Sequence, residues 1–178
     1  MKRVISIIVI VVCAASMSTA QQRVIPNKPF VTLYSNPGFV TINEVTGGIG
    51  LAGTYGPFSK WFGGLTSVWG YQLNRNLIFG AGTGLYYFES GMLVPLFLDF
   101  RFAFDISKFT PYFFADGGLF LNISNFKNTN LFINPGVGAR LALRYNMALN
   151  LGAGLLTRAD GTIRESFINM KFGVIYMF

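Results

Sequence analysis

The sequence predicts an all-β fold: a closed, up-and-down barrel of eight antiparallel transmembrane strands. Three observations predict it. First, bulky apolar residues alternate with small or polar ones along most of the chain, the period of a strand whose two faces meet different surroundings. Second, hydrophobic residues make up 52% of the chain, yet after the N-terminal stretch no run is long enough for a membrane-spanning helix. Third, 21 glycines and the absence of caps followed by 3.6-residue periodicity argue against helices. Residues 39–178 provide 140 positions, and 140/8 = 17.5 for each strand with its share of turn. Transmembrane strands need about 9–11 residues, so eight fit with ordinary loops.

The chain opens with Met1-Lys2-Arg3, an apolar run from Val4 to Val12, and small residues at Ser18-Thr19-Ala20. This is the pattern of a secretory signal over residues 1–20, cut to leave Gln21 at the start of the mature chain. The run is short of the roughly 20 residues a spanning helix needs. The single cysteine, Cys13, leaves with the signal, so the mature protein is expected to hold no disulfide or cysteine metal site. Removing Lys2 and Arg3 leaves 12 basic residues against 7 acidic ones, a net +5. No basic run lies outside the signal, so nucleic acid is not an expected partner and a membrane surface is the natural one.

Residues 21–38 carry Pro26, Pro29 and Pro37 and read as a loose lead-in. Strands are expected at Val40–Tyr55, Trp61–Leu73, Leu77–Phe88, Leu93–Phe104, Pro111–Leu121, Leu131–Tyr145, Ala148–Leu156 and Arg164–Phe178. In the third, Phe79, Leu85 and Tyr87 oppose Gly80, Gly82 and Gly84. The fourth sets Leu96, Leu98, Phe100 and Phe102 against Phe97, Asp99 and Arg101. The sixth sets Val137, Ala139, Leu141 and Leu143 against Gly136, Gly138, Arg140 and Arg144. In the seventh, Leu149, Leu151 and Leu155 oppose Asn150, Gly152 and Gly154. The eighth places Ile168, Met170, Phe172, Val174, Tyr176 and Phe178 opposite Asn169, Lys171 and Gly173. The first, third and fifth are weaker, with small residues on both faces.

A soluble barrel fills its interior with bulky apolar side chains and keeps charges outside. Here the charges share a face with glycine, which a solvated exterior would not favour. The consistent solution turns the bulky face to lipid and the small-plus-charged face to the lumen. In hydrocarbon every backbone group must be paired, so the sheet must close. An even strand number returns both termini to the periplasm. The turns at 74–76, 105–110 and 145–147 then lie there, and short outer loops lie at 56–60, 89–92, 122–130 and 157–163. Trp61, Trp69, Tyr71, Tyr87, Tyr145, Tyr176 and Phe178 read as interfacial girdles.

The lumen face collects Glu44, Asp99, Arg101, Asp116, Arg140, Arg144 and Lys171. Fixed charges in a bore can select ions. Eight strands, however, leave room only for side chains, which favours a salt-bridged plug with Asp99 or Asp116 paired to Arg101, Arg140 or Lys171. Lumen glycines then let inward aromatics such as Tyr86, Phe97, Tyr112, Phe114 and Phe120 lie flat over the sheet. The chain has no histidine. With neither histidine nor mature cysteine, Ser–His and Cys–His catalysis is unavailable and zinc has a poor ligand set. The expectation is no enzyme, no catalytic residue, no metal and no cofactor.

Taken together, these segments resemble the small outer-membrane barrels of the OmpA/OmpX-like group, the "porin family" proteins of Bacteroidetes. The resemblance rests on the C-terminal Phe172, Val174, Tyr176 and Phe178, on Val94-Pro95-Leu96-Phe97-Leu98-Asp99-Phe100-Arg101, and on Pro135-Gly136-Val137-Gly138-Ala139-Arg140. It implies an integral protein of the cell outer membrane of a Gram-negative bacterium. It also implies that the terminal aromatic series is the signal read by the barrel-assembly machinery. No peptidoglycan-binding domain is expected after the barrel, a departure from the OmpA type, so wall tethering is not implied. Expected partners are outer-membrane lipids, lipopolysaccharide, the assembly machinery and an unidentified envelope protein. The function so expected is structural, or that of a partner subunit, with a plugged lumen. A narrow, weakly conducting pore is the alternative, and a lipid-modifying or proteolytic barrel enzyme a distant second.

Overall fold

The computed structural model describes residues 37–54, 59–74, 76–89, 91–104, 109–122, 129–144, 146–160 and 163–178. The signal segment at 1–20, most of the lead-in, Lys127 and Tyr145 lie outside these. Eight strands follow in chain order: β1 (Gly38–Thr54), β2 (Trp61–Gln72), β3 (Leu77–Phe88), β4 (Gly91–Ala103), β5 (Phe109–Asn122), β6 (Thr129–Arg144), β7 (Met147–Asp160) and β8 (Ile163–Met177). Each pairs antiparallel with its neighbour in sequence, and β8 returns to β1, so the sheet is a closed barrel. The closing ladder runs from Val40 opposite Met177 to Thr54 opposite Arg164. Closure leaves no strand edge with unpaired backbone groups.

All eight expected strands are present, most displaced by only a residue or two at their ends. The largest departure is between β7 and β8. An outer loop expected at 157–163 is mostly ladder, with Thr157, Arg158 and Ala159 opposite Ser166, Glu165 and Arg164. Side chains hold this extension: the Thr157 and Ser166 hydroxyls lie 3.1 Å apart, and the Arg158 guanidinium meets the Glu165 carboxylate at 2.5 Å. At the opposite end, Asn74 accepts hydrogen bonds from the Asn76 and Leu77 amides at 3.0 and 2.9 Å, an Asx turn that reverses the chain into β3. Gly91 opens β4 with φ of 130°, a conformation that L side chains rarely adopt.

The alternation turns bulky apolar residues outward. Leu98, Val137, Ile168 and Phe172 are exposed, as are Trp61, Trp69 and Tyr87. Such a belt is far larger than the apolar patches soluble monomers carry. Inside, the register places three layers along the bore. Nearest the β1–β2, β3–β4, β5–β6 and β7–β8 connections lies an aromatic stack of Phe62, Tyr86, Phe88, Phe97, Phe120, Phe132 and Phe167, contributed by β2, β3, β4, β5, β6 and β8. Centroid separations run from 4.2 Å for Phe120–Phe132 to 6.2 Å for Tyr86–Phe88, close to the normal range for attractive ring pairs. The middle layer is polar and charged. Nearest the termini, Val40, Ile42, Val68, Ile78, Ala142, Ala148 and Ile175 form an aliphatic floor.

Glycine and aromatic residues are matched across adjacent strands. A Cβ at Gly138 would stand 2.5 Å from the Tyr112 ring, and one at Gly82 the same distance from the Phe97 ring. Tyr86 covers Gly64 in the same way, and Phe114 covers Gly136. Phe120 departs from the expectation: its ring stacks on Phe132 rather than on a glycine.

Candidate functional site

The middle layer gathers six of the seven charges that the sequence assigns to the lumen. Glu44 comes from β1, Asp99 and Arg101 from β4, Asp116 from β5, Arg140 from β6 and Lys171 from β8. All six are at most 4% exposed. Even spacing along each strand keeps them on one face, and glycines beside them free the volume their long side chains occupy. The seventh, Arg144, is a correction. It is exposed at the end of β6, just past a register shift between Ala142 and Arg144, where the barrel wall runs out. Without it the set is three carboxylates against three cations, so the layer is electrically balanced.

The contacts form one connected chain. Arg101 bonds Asp99 in a fork, with Nε 2.9 Å from Oδ1 and Nη2 2.9 Å from Oδ2. Its other terminal nitrogen, Nη1, stands 2.9 Å from Glu44 Oε1. Glu44 Oε2 is 3.4 Å from Lys171 Nζ, and Lys171 also pairs with Asp116. Charge-assisted bonds of this kind are stronger than neutral ones, and the fork fixes the carboxylate plane. Asparagines extend the chain: Asn150 donates to Glu44, Asn134 to Asp116 at 2.9 Å, and Asn169 to Asn134 at 2.8 Å. Arg101 and Arg140 lie over the Tyr112 ring at 5.8 and 5.6 Å, and Lys171 over Phe114 at 4.8 Å.

The topology gives these pairs their meaning. β4 pairs only with β3 and β5, yet its Arg101 reaches Glu44 on β1. β8 pairs only with β7 and β1, yet its Lys171 reaches Asp116 on β5. Both contacts cross the bore between strands that are not neighbours in the wall. Two of the expected pairings, Asp99–Arg101 and Asp116–Lys171, are present; the part of Glu44, which binds both cations, was not foreseen.

Two further groups extend the charges read from the sequence. Asn150 and Asn169 are buried on the face where alternation places them, and Asn134, which the sequence reading missed, shares the strand phase of Arg140. The buried pair Arg158–Glu165 sits at the mouth, with the guanidinium 4.4 Å over the Phe88 ring. Arg158 had been assigned to a loop; continuing the β7 alternation two residues past Leu156 places it inward. Among the described residues no cluster of three or more carboxylate, histidine or cysteine side chains has metal-binding geometry. The C-terminal residues lie in the closing seam: Phe172 is exposed on the outer face of β8, and the Phe178 amide donates to the Phe39 carbonyl at 3.0 Å.

No family model matches this chain, and no curated protein does. Solved structures do. Neisserial surface protein A is 17% identical, with a TM-score of 0.52 over 81% of this chain and 100% of that one. The outer membrane protein OprG from Pseudomonas aeruginosa is 10% identical, with a TM-score of 0.52 over 82% of this chain and 98% of that one. At these identities the likeness is one of architecture: the chain is a closed eight-stranded antiparallel barrel with the same fold as these two proteins.

Proposed function

We propose that this chain is an integral outer-membrane barrel whose bore is plugged by its own side chains, acting structurally or as the partner subunit of an envelope complex. The belt of exposed aromatic and aliphatic residues supports the lipid setting, and the fold shared with OprG supports the outer membrane as its place. The observation that carries the plug is the pair of ion contacts crossing the bore, Arg101–Glu44 and Lys171–Asp116, lying beneath a continuous aromatic stack. Side chains held in such a network are poor substrates for water to displace, because each charge it frees must be rehydrated in a narrow space. On this reading both termini face the periplasm and the β1–β2, β3–β4, β5–β6 and β7–β8 connections face outward. Lipid and lipopolysaccharide are the standing contacts, and the Phe172, Val174, Tyr176 and Phe178 series engages the assembly machinery.

The test is conductance of the purified barrel in planar bilayers. The plug predicts a closed baseline. Steps well above leak that disappear in Asp99→Ala or Arg140→Ala would instead establish a narrow ion pore. Purification of the tagged protein from its own membranes in mild detergent decides between the two roles: a stoichiometric companion identifies a subunit, and a lone barrel a structural protein.

A further inference from the structure

The outward face is not uniformly apolar. On β4 its residues are Met92, Val94, Leu96, Leu98, Phe100 and Phe102, and on β6 Leu131, Ile133, Pro135, Val137, Ala139, Leu141 and Leu143 follow one another. On β1–β3 the sequence of the belt is interrupted. Asn43 of β1 stands opposite Ser67 of β2, and Ser67 opposite Thr83 of β3, so three polar side chains form one cross-strand row on the exterior. Asn43 lies between buried Ile42 and Glu44, Ser67 between buried Thr66 and Val68, and Thr83 next to buried Gly82, which fixes their outward direction. The row lies inside the belt, between the aromatic pair Phe39–Tyr71 at one end and Trp61–Tyr87 at the other. Four residues along, beyond the exposed pair Val45 and Leu65, Gly47 faces Gly63 and the wall is low.

We infer that this row is the contact surface for a second copy of the chain. The inference rests on the membrane reading above, since only in hydrocarbon do outward amide and hydroxyl groups lack a partner. Asn43, Ser67 and Thr83 each carry a donor and an acceptor, so the row is complementary to itself. All copies enter the membrane in the same sense, so a two-fold axis between them runs along the membrane normal. Strands of such a barrel tilt by about 35–45°, so the two rows cross rather than overlie. When β1–β3 faces β1–β3, Ser67 meets Ser67 at the crossing and Asn43 of each copy lies beside Thr83 of the other; the outward residues of β4 and β6 offer no amide or hydroxyl between Met92 and Phe102 or between Leu131 and Leu143.

Disulfide trapping in native outer membranes tests this, with the full chain carrying Cys13→Ala so that no other thiol is present. Ser67→Cys should give a cross-linked dimer on oxidation, and Leu98→Cys or Val137→Cys, on other walls, should not. Equal cross-linking at all three positions, or none at Ser67→Cys with the protein recovered in the membrane fraction, overturns the dimer and leaves the membrane reading intact. Recovery in the soluble fraction overturns both. A second measurement is sedimentation in detergent: Asn43→Leu with Thr83→Val should weaken self-association at least ten-fold while the barrel stays folded. An unchanged association constant overturns the assignment.

Discussion

At the scale of single residues, the interior shows how a barrel of eight strands accommodates charge. Lys171 touches two carboxylates from two other strands and is 1% exposed. Removing one member of such a set leaves the others charged and buried, which costs about 3–5 kcal/mol. Lys171→Met should therefore lower the unfolding temperature in detergent micelles markedly. Arg144→Ala, at an exposed position, should change stability by no more than about 0.5 kcal/mol. Thermal unfolding followed by circular dichroism checks both, and equal shifts would remove the case for a buried network. Most of these residues were legible in the sequence because a charge in phase with glycines stands out against an apolar alternation. What was not legible was pairing: Glu44 and Arg101 meet across the bore, and nothing local to either strand records which of the opposite residues it will face.

At the scale of the element, alternation located every strand but misjudged where the seventh stops. The expected end of the seventh strand falls where apolar residues give way to Thr157 and Arg158, a polar composition that normally marks a loop. The ladder continues through them, and their side chains are bonded across it, Thr157 with Ser166 and Arg158 with Glu165. The glycine positions follow similar logic: Gly138 leaves space that Tyr112 of the neighbouring strand fills, a relation visible only once register is known. The last element also carries a prediction. β8 closes the seam with β1, and its terminal Phe178 adds a backbone bond to Phe39. Deleting Phe178 should reduce the folded, heat-modifiable form in outer membranes and leave unfolded chain to periplasmic proteases. Normal membrane levels of the truncated chain, judged by gel mobility with and without heating, would show that the terminal aromatic is dispensable.

At the scale of the whole molecule, polarity is inverted relative to a water-soluble domain: Arg101, Arg140 and Lys171 are inside, while Leu98, Val137 and Phe172 are outside. The hydrophobic effect that drives a soluble chain to collapse therefore works against this fold in water and for it in lipid. Diluted from denaturant into detergent micelles, the chain should gain β-sheet circular dichroism; diluted into buffer alone, it should aggregate. A monodisperse β-sheet monomer in buffer would contradict the lipid-facing belt. The charge layout bears equally on how such a molecule is completed. Lys171 belongs to the final strand, whereas both of its carboxylates belong to earlier ones. With β1–β7 in place, the central layer holds Glu44, Asp99 and Asp116 against only Arg101 and Arg140. That surplus negative charge holds water in the half-finished cylinder. The last strand brings the missing cation, so dehydration of the bore and zipping of the seam coincide, and an unclosed intermediate stays wet until its final hairpin arrives.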